Sequence, residues 1–383
     1  MLVLALAGCG GGKKPPSGTP TSTPPVSQSG TETPAGPPLG FPVVATKNTT
    51  RIAGADPIAD AAGAALATYP ARTPETRPAA VILADVNAWQ TGIAAAVLVG
   101  RPIGAPILFA QGNKLPAATS AALDALQPTG SKQAGGAQVI RVGTTAPVPG
   151  YKTTDVTGRG APALAESIDK LRAAAAGASA PAVVVASLDR PEYAMPAAGW
   201  AAKSGDPVLW VSANAIPPET AGALTTHGKK TAIYVLGPPD AVSDALLKQL
   251  GKYGTVKRIA ASDPVTSSIA FARYRDGAFG WGVTDPGHGL VFANTRYPQD
   301  AAAAAPLSAA GTYGPLLVLT DAGVLPAPLQ NYLLDIQPGY DTDPVRGVYS
   351  HGWMVGDESS VSAAVQARID TLLEIQPVDT KGE

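Results

Sequence analysis

The side chains able to do chemistry are few and scattered. Three histidines, His227, His288 and His351, stand at unrelated points of the chain. No two share the spacing that sets a pair of ring nitrogens on one helix face for a metal ion. No metal site and no cofactor are expected. Ser350-His351-Gly352, read as following a strand, is only part of a nucleophile turn, because Val348 stands where Gly-x-Ser-x-Gly needs its first glycine. Gly158-Arg159-Gly160 lacks a preceding apolar strand and has Ala163 at the third glycine place of a dinucleotide loop. With no convergent nucleophile, base and acid, catalysis is not expected.

Binding chemistry remains. Asn87, Arg190, Asn294, Arg296 and Tyr297 follow apolar runs that read as strands and precede helices. In parallel α/β sheets this is where ligands sit, and a guanidinium there can grip phosphate or carboxylate with two parallel hydrogen bonds. A solvated arginine, or Arg190 paired to Asp189, is the competing reading. Arg51 and Arg258 recur at matching openers, either touching ligand or bridging neighbouring parts. Gln111, Asn113, Ser212, Asn214 and Thr320 leave a second set of strands and read as helix caps. Trp89, Trp281 and Trp353 lie in loop contexts suited to stacking on sugars, whereas Trp200 and Trp210 fall within core elements.

The lone cysteine, Cys9, excludes an intrachain disulfide. Leu6-Ala7-Gly8-Cys9 resembles the bacterial lipobox, in which the thiol carries diacylglycerol. The run Leu2 to Ala7 is short and lacks a basic start, so residues 1–9 are expected to be a truncated lipoprotein signal. Residues 10–42 are almost wholly Gly, Pro, Ser and Thr and cannot offset their ordering entropy by burial. They are expected to be a disordered tether spanning roughly 30 to 100 Å, with Lys13 and Lys14 near anionic headgroups.

A net charge of -1 over 383 residues argues against a nucleic-acid partner. Aromatics make up 5%, so stacking platforms are scarce. Abundant Ala and Gly suit closely packed helix-on-sheet layers.

The elements that must position these residues recur three times. First strands read Ala80–Ala84, Ala182–Ala186 and Leu290–Ala293; second strands run over 105–109, 207–211 and 315–319. Leu115-Pro116, Ile216-Pro217 and Leu325-Pro326 follow. A period of roughly 100 residues exceeds a solenoid unit and fits small domains: module 1 over 43–148, module 2 over 149–254 and module 3 over 255–383. Asp56-Pro57 reads as an N-cap with proline at the first helical position. Helices are expected over 58–68, 91–99, 117–126, 161–175, 192–203, 218–226, 265–273, 299–310, 326–335 and 359–374, with one more ending at Leu250. Third strands are expected over 138–142, 231–236 and 345–349. Continuous Val/Ile/Leu strands alternating with helices imply an α/β fold of parallel sheets covered on both faces.

The openers and strand ends together resemble the cell wall binding repeat 2 family, whose modules begin Arg-Ile-x-Gly-x-Asp-Arg-Tyr-x-Thr-Ala. Arg51-Ile52-Ala53-Gly54-Ala55-Asp56 matches its first half, with Pro57 and Ile58 in place of Arg and Tyr. Arg258-Ile259-Ala260-Ala261-Ser262-Asp263 matches without the glycine, and module 2 keeps only Gly158. Pro298-Gln299-Asp300-Ala301 through Pro306-Leu307, and the corner Pro239-Asp240-Ala241-Val242-Ser243 after Gly237, resemble two further family stretches. The resemblance covers about residues 48–375. It implies three modules packed as a pseudo-trimer and non-covalent binding to an anionic cell wall polymer or peptidoglycan. With Cys9, the expectation is an envelope lipoprotein on the outer face of the membrane or in the wall. A solute-binding lipoprotein of a transporter is the alternative.

Overall fold

The computed structural model describes residues 43–378. Cys9 and the tether lie outside them. Three mainly parallel sheets flanked by helices build the body, and their strand orders are the same. The first sheet runs Ile107–Ala110, Val81–Asp85, Val139–Val142, Thr153–Val156. The second runs Val208–Val211, Ala182–Ser187, Ala232–Leu236, Thr255–Ile259. The third runs Leu316–Leu319, Gly289–Asn294, His351–Val355, Thr49–Ile52, and ends on an antiparallel edge strand, Val43–Ala45.

The fourth strand of each sheet is therefore the opener of another third of the chain. Thr153–Val156 opens module 2 but pairs with Val139–Val142. Thr255–Ile259 opens module 3 but pairs with Ala232–Leu236. Thr49–Ile52 opens module 1 and closes the set by pairing with His351–Val355. The helix after each opener crosses back to its own module: Pro57–Thr68 packs on Ile107–Ala110, Gly160–Ala176 on Val208–Val211, and Pro264–Arg273 on Leu316–Leu319. Three strand exchanges link the thirds in a ring.

At the centre, the small-residue helices Trp89–Ala95, Pro196–Ser204 and Gln299–Ala303, the last continued by Ala305–Ala309, pack against one another. Their small residues allow it. A Cβ on Gly92 would lie 3.0 Å from the Ala302 Cβ, and one on Gly199 would lie 2.7 Å from Ser308 Oγ. Ala94 to Ala96, Ala197, Ala198, Ala201, Ala202 and Ala301 to Ala305 are buried there. One apolar core runs through all three modules.

Most expected elements are present within a residue or two. The helix starting at Pro57 is capped as read, with Asp56 accepting from the N–H groups of Ile58 and Ala59, both at 2.9 Å. Helices 192–203 and 299–310 are each broken in two, with Pro196 and Pro306 near the start of the second piece, since an interior proline lacks the donor a continuous helix needs. One strand is corrected: 345–349 is a 3₁₀ turn and loop, and the third strand of module 3 is His351–Val355. Ser350 thus precedes a strand rather than following one, and its Oγ accepts from the Gly287 N–H at 3.1 Å. The nucleophile-turn reading loses its geometry.

Candidate functional site

Asp85, Ser187 and Asn294 end the three first strands. Each side chain accepts from the backbone N–H two residues on: Asn87 at 3.1 Å, Asp189 at 3.2 Å and Arg296 at 2.9 Å. The three exits are thus one turn built three times, in which a short polar side chain stands in for a backbone carbonyl. Asn87 is exposed on the first, and its Nδ2 donates to Asp85 Oδ1. Asn294 is buried and donates to the Ser360 carbonyl at 2.9 Å. Arg190 is engaged by Glu192 at 2.6 Å and Asp240 at 2.7 Å. Arg296 is exposed, 5.6 Å from the Tyr297 ring centre.

Arg51 is 3% exposed. Its Nη1 donates to the carbonyls of Gly356 and Asp357, its Nη2 to that of Val361, and its Nε to Gln366 Oε1. Arg258 repeats this, donating to the carbonyls of Gly237 and Val242 and to Asp244 Oδ1. Both clamp the corner that follows the neighbouring third strand, which is the bridging role and leaves the buried Arg51 no donor face for a polymer. At the module 1–2 junction the equivalent register holds Asp155 opposite Arg141. Here the guanidinium sits on the other strand, bound to Asp155 at 2.6 and 2.9 Å and to the Ala146 carbonyl at 3.2 Å. The clamp persists with its donor moved across the ladder.

The seven expected binding residues therefore do not converge. Arg51, Asn294 and Tyr297 surround the 356–361 corner, Arg190 and Arg258 hold the 237–242 corner, Arg296 stands exposed beside Tyr297, and Asn87 stands alone.

A larger concavity lies at the opposite, amino ends of Ala182–Ser187 and Ala232–Leu236. It is a groove of about 550 Å³ between modules 2 and 3. Its wall is aromatic: Trp200 meets Phe279 and Trp281 edge-on at 5.0 and 5.3 Å, and Tyr234 stacks flat on Phe279. Lys203 places its ammonium 3.1 Å from the ring centre of the half-exposed Tyr313. Arg275 is exposed at the rim. Asp206 accepts from Trp200 Nε1 at 2.8 Å, and burial raises its carboxyl above the usual range. Asp276 accepts from the Tyr234 hydroxyl and Lys257, whose hydrogen bonds hold its carboxyl down. Trp281 Nε1 is buried without a partner, and an orphaned indole donor in a groove wall calls for an acceptor from water or ligand. The groove was not read from the sequence. Its signal is the aromatic-rich stretch Tyr274-Arg275-Asp276-Gly277-Ala278-Phe279-Gly280-Trp281, of which only Trp281 was singled out.

The fold and site define a three-module α/β ring with an inter-module groove. No family model and no curated protein matches the chain. Solved structures do. The chain is similar in fold to Cwp6 from Clostridium difficile, with a TM-score of 0.68 and 18% identity over 85% of this chain and 48% of that one. It is also similar to Cwp8 from Clostridium difficile, with a TM-score of 0.64 and 16% identity over 86% and 52%. The chain spans about half the length of these two proteins.

Proposed function

We propose that this protein is a membrane-anchored cell envelope lipoprotein that binds cell wall polymer non-covalently, without catalysis, through its ring of three modules. Cys9 would carry the lipid and residues 10–42 the reach. The observations supporting wall binding are the resemblance of the module openers to the cell wall binding repeat 2 family and the architecture shared with Cwp6 and Cwp8 from Clostridium difficile. The groove supports a polymer as ligand: Lys203 and Arg275 suit acidic substituents, and the half-exposed Tyr313 and the unpartnered Trp281 Nε1 border the same space.

The test is co-sedimentation of the Cys9→Ser chain with isolated bacterial walls. It is expected to pellet at low salt and to stay in solution after the anionic polymer is extracted. Lys203→Glu with Arg275→Glu is expected to lower apparent affinity at least tenfold. Failure to sediment with intact walls at low salt would overturn the proposal, whereas unchanged binding by the double variant would move the contact away from the groove.

A further inference from the structure

Two carboxylates that the wall-binding reading does not use meet where the ring closes. Asp60, in the first turn of helix Pro57–Thr68, is 2% exposed; Asp300, in helix Gln299–Ala303, is 1% exposed. They come from modules 1 and 3. Asp60 Oδ1 accepts from the backbone N–H groups of Gly54 at 2.9 Å and Gly356 at 3.2 Å. Neither oxygen of Asp300 has a hydrogen-bond partner. Both residues line a cavity of about 20 Å³, together with Asp56, Asp357, Ser360 and Tyr297.

A buried carboxylate with both oxygens unpartnered is among the costlier arrangements a fold can hold. Burial, to which the neighbouring acids add, holds the Asp60 carboxyl up at about 8 against the pull of its two backbone hydrogen bonds, and that of Asp300 well above the carboxylate range. A proton on Asp300 alone does not complete it, since the other oxygen still has no donor. Arg51, whose charge is felt at Asp60, spends its hydrogen bonds on carbonyls and Gln366. The cavity has room for one occupant of water size, for which roughly 10–15 Å³ suffices. Two buried acids, with Asp56 and Asp357 at the wall, favour a positive occupant over a neutral one.

We propose that this cavity binds a single hard cation of the Ca²⁺ type, held between Asp300 and Asp60 and completed by neutral oxygens and water, and that the ion fastens module 1 to module 3. Among the described residues no three Asp, Glu, His or Cys side chains form a metal-holding group. Two carboxylates must therefore suffice, and since no His or Cys lines the cavity a transition-metal centre is not the fit. An ion accepting hydroxyl, carbonyl and water oxygens beside two carboxylates is.

The experiment uses the full chain, first in EDTA and then titrated with CaCl₂ at pH 8, followed by thermal unfolding and by Tb³⁺ emission excited through tyrosine, Tyr297 being the sensitiser at hand. The expected result is a Tm that climbs with the logarithm of Ca²⁺ concentration, and Tb³⁺ emission that Ca²⁺ displaces. Asp300→Asn is expected to abolish both, with a metal-free Tm no lower than that of the parent. Absence of both signals in the parent chain overturns the proposal, as does a Ca²⁺ shift of undiminished size in Asp300→Asn. Should that variant fail to fold, Asp60→Asn reads the same two signals with the same criteria.

Discussion

His227 shows how a residue that looks catalytic by type is held as structure. Its Nε2 lies 2.7 Å from Asp169 Oδ2 and its Nδ1 3.2 Å from the Ala180 carbonyl, joining helix Pro218–His227 to helix Gly160–Ala176. Burial pulls its pKa down, but the Asp169 hydrogen bond and charge outweigh this and leave it raised. A histidine raised on folding lends stability that is complete below its unfolded value of about 6.5 and fades as pH climbs through the higher folded value. The melting temperature is accordingly expected to fall across that window. His227→Gln should flatten that part of the profile, and a profile unchanged in the variant would refute the assignment. The acids at the ring closure show what one dimension conceals. Asp60 in an Ala-rich helix reads as a solvated residue, and only the fold brings it to Asp300.

Among the elements, strands and helices were legible because the runs at 182–186 and 290–293 are apolar enough to be fully covered, and Asp56-Pro57 and Asp263-Pro264 cap as such pairs should. The openers were legible as recurring motifs but not as strands of another sheet, since pairing partners leave no mark in local pattern. The last third strand was misplaced because Val345, Val348 and Tyr349 favour strands by residue type. The true one carries Gly352, where a Cβ would lie 3.0 Å from Leu373 and 3.2 Å from Thr49. The corner clamp yields an element-scale test. Arg141→Asp or Asp155→Arg alone sets like charges across the ladder and is expected to cost about 1–3 kcal/mol in denaturant unfolding. The double exchange restores the arrangement of the other two junctions, with arginine on the opener, and is expected to recover more than half of that loss. Strictly additive losses would show that the exchange is not equivalent.

For the whole molecule, strand exchange and a shared centre make the thirds dependent on each other. Independent modules would melt separately, as repeats joined only to neighbours tend to. Here, losing one third strips an edge strand from another sheet and exposes the central helices of the other two. Calorimetry is expected to show one transition whose calorimetric and van't Hoff enthalpies agree; three resolved transitions would show that the modules are independent. Closure by Thr49–Ile52 also imposes an order on biosynthesis. Its docking edge, His351–Val355, leaves the ribosome some three hundred residues later, so a nascent chain carries an unpaired opener strand throughout that stretch of synthesis. At high chain concentration, that edge can be filled by the same segment of a second chain, which makes exchanged dimers the characteristic assembly error of this design.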